Sequence, residues 1–293
     1  MCIRDRHVLT LVKERGYLLS EEQELWLLYH EAELRFQLDD WQTAISILSS
    51  LLEDELPDRL TALALNKLGL SLDFCKEWDK AFASYEKALK FSQKIGDLPL
   101  VAEIYHNMGI IHRRRQEWRK ALKMLQKSLE IRRNIGDLYG LSQCYNNIGR
   151  IYRYTGEWAK ALDFFEASLA IRRELGDLGG IAQCYNNIGV VLNQMGEYNK
   201  ATDFLRRSYE IRERIGHVMG LNYTRYNLAM VFENQGRYSE AVELLEKVVE
   251  VDKQLDHFDL AFDLQALERV RGKLTGAVPS DVSPTEHPPS SYS

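Results

Sequence analysis

Residues 143–149 read QCYNNIG, and residues 183–189 read QCYNNIG again, an offset of 183 − 143 = 40. The offset continues in both directions. Gly69, Gly109, Gly149 and Gly189 keep it, with Ala229 next in line. Trp78, Trp118, Trp158, Tyr198 and Tyr238 keep it, as do Ala81, Ala121, Ala161, Ala201 and Ala241. A fixed period in this range marks a stack of like supersecondary units, not a domain with one central core. Such a stack favours a binding surface over a catalytic pocket.

Within the unit, Tyr145, Ile148, Gly149 and Tyr152 fall at i, i+3, i+4 and i+7. Trp158, Ala161, Leu162, Phe165 and Leu169 follow the same helical spacing. Gly156 lies between the two runs and recurs as Gly196 and Gly236, a helix stop. The spacing therefore predicts helix, tight turn, helix. The units are joined by Gly96-Asp97, Gly136-Asp137 and Gly176-Asp177. Glycine can take the left-handed conformation that closes one helix, and aspartate can cap the amides that open the next. Joints this short require neighbouring helices to pack antiparallel.

Several repeat folds have periods near this one. WD40 blades need alternating strands and Gly-rich turns, and neither occurs. HEAT and armadillo units are helical and of similar length. The positional pattern separates them. Tyr145-x2-Ile148-Gly149-x2-Tyr152 followed by Ala161-x3-Phe165 resembles the tetratricopeptide repeat signature, with tyrosine in place of its first tryptophan. The small residues have a physical reason: Gly149 lets the two helices of a unit approach, and Ala161 does so from the facing helix. The terminal proline of that signature is absent, its position being Arg173. The unit is longer than the ordinary repeat of about 34 residues, which adds roughly 9 Å of helix. Long repeats of this kind resemble those of Pins, kinesin light chain, MalT-like and Rap-type proteins. The resemblance implies an all-α solenoid of antiparallel helix pairs.

The expected organisation has six repeats over residues 23–257, at about 24–56, 58–97, 98–137, 138–177, 178–217 and 218–257. Residues 1–6, MCIRDR, resemble the translation of a transposon end used in sequencing libraries and are treated as a scar. Residues 7–22 then look like the remnant of a helix whose upstream part is missing. Residues 258–274 hold the phase of a first helix, with Ala261 and Leu264 on the expected packing face. Glu268 and Arg269 stand where a full repeat has Ile188 and Gly189, so this segment is expected to cap the stack. The Pro- and Ser-rich residues 275–293 are expected to be disordered.

The formal net charge of −5 argues against general nucleic-acid binding. The local exception, Arg113-Arg114-Arg115, suits the negative end of a helix dipole and is expected to be a solvated helix end. No apolar run approaches the roughly 20 residues that cross a membrane. Cys144 and Cys184 occupy one position in adjacent repeats and read as buried free thiols, as in a reducing, cytoplasmic compartment. The cysteine and histidine spacings form no metal motif, and no nucleotide-binding or hydrolase motif is present. Glu77, Glu117, Glu157 and Glu197 recur at helix starts, so they are expected to be structural. No catalysis and no cofactor are expected.

One polar recurrence lacks an obvious packing reason. Asn107, Asn147, Asn187 and Asn227 form a ladder in the middle of the first helices, although asparagine is a middling-to-poor helix former. The resemblance places first helices along a concave groove, where such asparagines bond the backbone of an extended peptide. The competing assignment is a bond to the neighbouring repeat. The same stripe carries Gln143, Gln183, Gln194 and Tyr223, with Arg113, Arg114, Arg150 and Arg153 concentrating positive charge. A protein or peptide ligand is therefore expected, extended or helical, and acidic or phosphorylated. The other reading makes the repeats the sensory arm of a larger regulator with its effector domain upstream.

Overall fold

The computed structural model describes residues 19–277. Among these residues the chain forms thirteen helices and no strand. In order they are α1 (Glu21–Gln37), α2 (Trp41–Leu51), α3 (Asp58–Phe74), α4 (Trp78–Lys94), α5 (Leu98–Arg114), α6 (Trp118–Ile135) and α7 (Leu138–Tyr154). They continue as α8 (Trp158–Glu174), α9 (Leu178–Gln194), α10 (Tyr198–Arg214), α11 (Val218–Asn234), α12 (Tyr238–Gln254) and α13 (Leu260–Thr275). The period of 40 consists of helices of mostly 17 residues separated by three-residue joints such as Cys75-Lys76-Glu77 and Ile95-Gly96-Asp97. The extra length of the repeat is therefore helix, not loop. The proposed scar, most of the proposed remnant helix and nearly all of the proposed tail lie outside the described residues.

The chain divides into two compact units, Met1–Asp137 and Leu138–Ser293. The first contains α1–α6, the second α7–α13. In each, a first helix packs antiparallel on the second helix of its own repeat. The small residues set this distance. A Cβ on Gly69 would lie 2.6 Å from the Tyr85 ring, and one on Gly149 would lie 2.8 Å from the Phe165 ring. Opposite them Ala81, Ala121, Ala161, Ala201 and Ala241 are all fully buried.

The joints combine a left-handed residue with a cap. Gly96 and Gly176 have φ of 71° and 67°. Asp97 accepts from the Leu100 amide at 3.1 Å, and Asp177 from the Gly180 amide at 2.9 Å. Within repeats, the residue before the helix-opening glutamate is also left-handed. It is glycine at 156 and 196, and at 236 before Arg237, but Lys76 and Gln116 take φ of 62° and 59°. The recurrent glutamates make no capping bond to the backbone. Each instead pairs with the lysine three residues on, as Glu157 does with Lys160 at 2.6 Å.

The last helix differs from its expected register. Ala261 is exposed, and Leu264 is only partly buried. The buried face is Asp263, Ala266, Leu267 and Val270. The joint before α13 runs from Leu255 to Asp259, longer than the three-residue joints of the regular repeats, and this rotates the helix.

Candidate functional site

Within each unit, successive first helices touch one another, as α3 does α5 and α9 does α11. Successive second helices do not approach as closely, so the first helices line the inner side of each unit. The asparagine ladder lies on these helices, and its partners are now defined. Asn107 donates to the side-chain oxygen of Asn66 at 3.4 Å. Asn187 donates to Asn146 at 2.8 Å, and Asn227 to Asn186 at 2.9 Å. Each bond therefore joins residues 41 apart, one position more than the repeat. In the second QCYNNIG the consecutive asparagines divide the work: Asn186 accepts from the next repeat, and Asn187 donates to the previous one. Asn147 also donates to the backbone carbonyl of Gln143 at 3.2 Å.

A second row runs one helical stretch further along. Arg114 bonds Asp73, and Asn234 donates to Asn193 at 3.0 Å, again 41 apart. Burial pushes the Asp73 carboxyl above its ordinary value, although the Arg114 guanidinium works against it. Where Asn146 and Asn186 have their counterpart in α5, His106 is kept neutral. Burial, then the charges of Arg132 and Arg113, pull it down to about 3.

A third recurrence went unnoticed at the level of sequence. Ser128, Ser168 and Ser208 donate from the second helix to the carbonyls of Ala102, Ser142 and Ala182 at 2.7, 2.8 and 2.8 Å. The 40-residue serine period was the available signal. Cys144 and Cys184 are buried free thiols as expected, and burial pushes the Cys184 thiol up.

The family models for tetratricopeptide repeats match residues 60–134, 140–214 and 223–254, more than half of the chain. The chain belongs to the tetratricopeptide repeat family. No curated protein sequence matches it. Among solved structures it is similar to NprR in complex with its cognate peptide NprX. The identity is 18% and the TM-score 0.70, covering 94% of this chain and 80% of that one. It is also similar to a Rap protein complexed with competence and sporulation factor, at 19% identity and TM-score 0.64, covering 93% and 82%. A third match is a STAND signal-transduction ATPase with a tetratricopeptide repeat sensor from Pyrococcus horikoshii. Here the identity is 18% and the TM-score 0.71, covering 94% of this chain but 45% of that one. At these identities the likeness is one of fold.

Within the tetratricopeptide frame the remaining stripe residues take different environments. Asn107 and Asn147 are buried, whereas Asn187, Asn227, Gln143, Gln183 and Gln194 are half-buried. Arg113 and Arg150 are buried, so the Arg113–Arg115 run is not a solvated helix end. Arg115 pairs with Asp79 at 2.7 Å. Arg153 is half-buried with its guanidinium 4.2 Å over the Tyr154 ring. Arg113 and Arg114 belong to the first unit, Arg150 and Arg153 to the second. Tyr223 donates to Asp259 at 3.2 Å, toward the end of the stack. Among the described residues no helix is long and apolar enough to cross a membrane.

Proposed function

We propose that this protein is an interaction scaffold that holds an extended peptide or partner segment along its first helices and performs no chemistry itself. The observation that carries this is the state of Asn187 and Asn227. Each spends one amide hydrogen on the neighbouring repeat, which fixes its orientation. Each keeps a second N–H and a carbonyl oxygen, the pair that a peptide backbone requires. Gln183, one turn earlier, offers the same groups. Gln143 and Asn147 extend the set within the second unit, with Gln194 and Tyr223 at its margins, and Asn107 would play the same part on the first unit. Arg150 and Arg153 would meet an acidic or phosphorylated ligand residue. Arg114, of the first unit, pairs with Asp73. NprR, a protein of this fold solved in complex with its cognate peptide, supports the same reading.

The test separates ligand contact from repeat stapling. Peptides would be enriched on the wild-type protein from a display library and their affinities measured for Asn146→Ala and Asn187→Ala. Both changes break the same inter-repeat bond, but only the second removes the proposed peptide contact. Asn187→Ala should weaken binding about three- to tenfold more than Asn146→Ala, the worth of one hydrogen bond. Equal effects would remove Asn187 from the binding face.

The STAND neighbour favours a second reading, in which these repeats are the sensor of a longer regulator. This chain matches under half of that protein's length. Recovery of an open reading frame with an upstream NTPase, kinase or DNA-binding domain would decide for it.

A further inference from the structure

Two of the joints between repeats use an arginine–aspartate clasp. Arg132 pairs with Asp137 at 3.5 Å, and Arg172 pairs with Asp177. At the next joint His217 replaces the aspartate, and Arg212 donates instead to the Gly220 carbonyl and, at 2.8 Å, to Thr224. At the last joint the pair is inverted. Asp252 stands where the arginines stand, and His257 stands where the aspartates stand.

The inversion creates a buried nest of carboxylates. Asp252 of α12, Asp259 of the joint and Asp263 of α13 are each at most 2% exposed. From α11, Asn222 donates to Asp252 at 2.7 Å and Tyr223 donates to Asp259 at 3.2 Å. His257 lies 3.9 Å from Asp252 and 3.7 Å from Asp259. Met219, Tyr226 and Val248 complete the walls, and no lysine or arginine lines the nest. One oxygen of Asp252 and the carbonyl oxygen of Asn222 are buried without a hydrogen-bond partner. Asp252 also sits in the last turn of α12, where the helix dipole disfavours a negative charge. Buried carboxylates this close do not all ionise together. The nest is not a cation site: among the described residues no group of three such side chains is arranged to hold a metal ion.

We propose that α13 is held on α12 by a proton-dependent clasp, in which a proton retained between Asp252 and Asp263 keeps the helix docked and its loss loosens it. Burial, then the hydrogen bond to Asp263 and the charges of Asp263 and Asp259, push Asp252 up to about 8. A raised carboxyl binds its proton more tightly when docked than when released. Docking is therefore firmest at pH below the ordinary carboxylate value. It weakens as pH rises, and the contribution is gone once pH passes about 8. Release uncovers Leu245, Val248 and Val249, now packed with Ala266, Leu267 and Val270.

Hydrogen exchange on the full chain, corrected for the chemical rate and read from about pH 5.5 to about pH 8.5, tests this. Protection of α13 should fall by up to about tenfold per pH unit while α10 stays level, since one proton is lost per release. Asp252→Asn supplies a neutral group at every pH. It should flatten the dependence and leave α13 protected at the alkaline end. Asp263→Asn reads the same nest from the other helix and should flatten it too, with α10 protection certifying a folded chain in both variants. A level wild-type profile would overturn the proposal. So would an undiminished slope in both variants, or loss of α13 protection at every pH in both.

Discussion

At the residue scale, the asparagines show how a repeat can carry a poor helix former without losing stability. The propensity cost of a few tenths of a kcal/mol is set against an inter-repeat amide bond worth about 1 kcal/mol. Because the bond joins neighbouring repeats, it stabilises the stacking and not the helix that carries it. A double-mutant cycle on Asn146→Ala and Asn187→Ala, followed by chemical denaturation, should give a coupling of about 0.5–1.5 kcal/mol. Additive effects would show that the 2.8 Å contact between them contributes nothing to stacking. The ladder itself was legible in the sequence as an anomaly of propensity. Its partner was not, because the bond steps 41 residues while the eye follows 40. The doubled asparagine of QCYNNIG was the mark of two roles.

At the element scale, every described helix but α2 is followed within two residues by one that turns left. Three repeats use Gly156, Gly196 and Gly236, with nothing within 4 Å of an added Cβ. Lys76 and Gln116 do the same work at φ of 62° and 59°. A non-glycine residue there costs about 1–2 kcal/mol, and part of this returns as the lost entropy of an unfolded glycine. Lys76→Gly and Gln116→Gly should each stabilise the protein by about 0.5–1 kcal/mol. Thermal denaturation would register it as a higher Tm, and a fall in Tm for both would refute the strain. The same scale explains the misplaced face of α13. Periodicity carried Ala261 inward by assuming another three-residue joint, but the chain from Leu255 to Asp259 is longer and includes Asp256 at φ 48°. Phase extrapolates across a repeat only while the joints keep their length.

At the scale of the whole molecule, stability in a stack of repeats is a sum of local and nearest-neighbour contributions. The period, the helix pairs and the Gly–Ala contacts were therefore legible from any one repeat compared with the next. The polar rows of the inner side were not, because they depend on how successive first helices are offset. Locality also has an experimental signature. A Cβ on Gly109 would lie 2.8 Å from Leu125, and one on Gly189 would lie 2.6 Å from Leu205. Overpacking of this kind costs about 1–3 kcal/mol where the facing side chain must move. Ala229 occupies the same position, with Leu245 in the same buried cluster, so the fold accepts a methyl group where the neighbours are built around it. Gly109→Ala should accordingly reduce hydrogen-exchange protection in α5 and α6 while leaving α9 and α10 close to wild type. Gly189→Ala should do the converse. A uniform loss of protection along the chain in both variants would instead mean that the two units unfold as a single cooperative body, and the nearest-neighbour account of this stack would have to be abandoned.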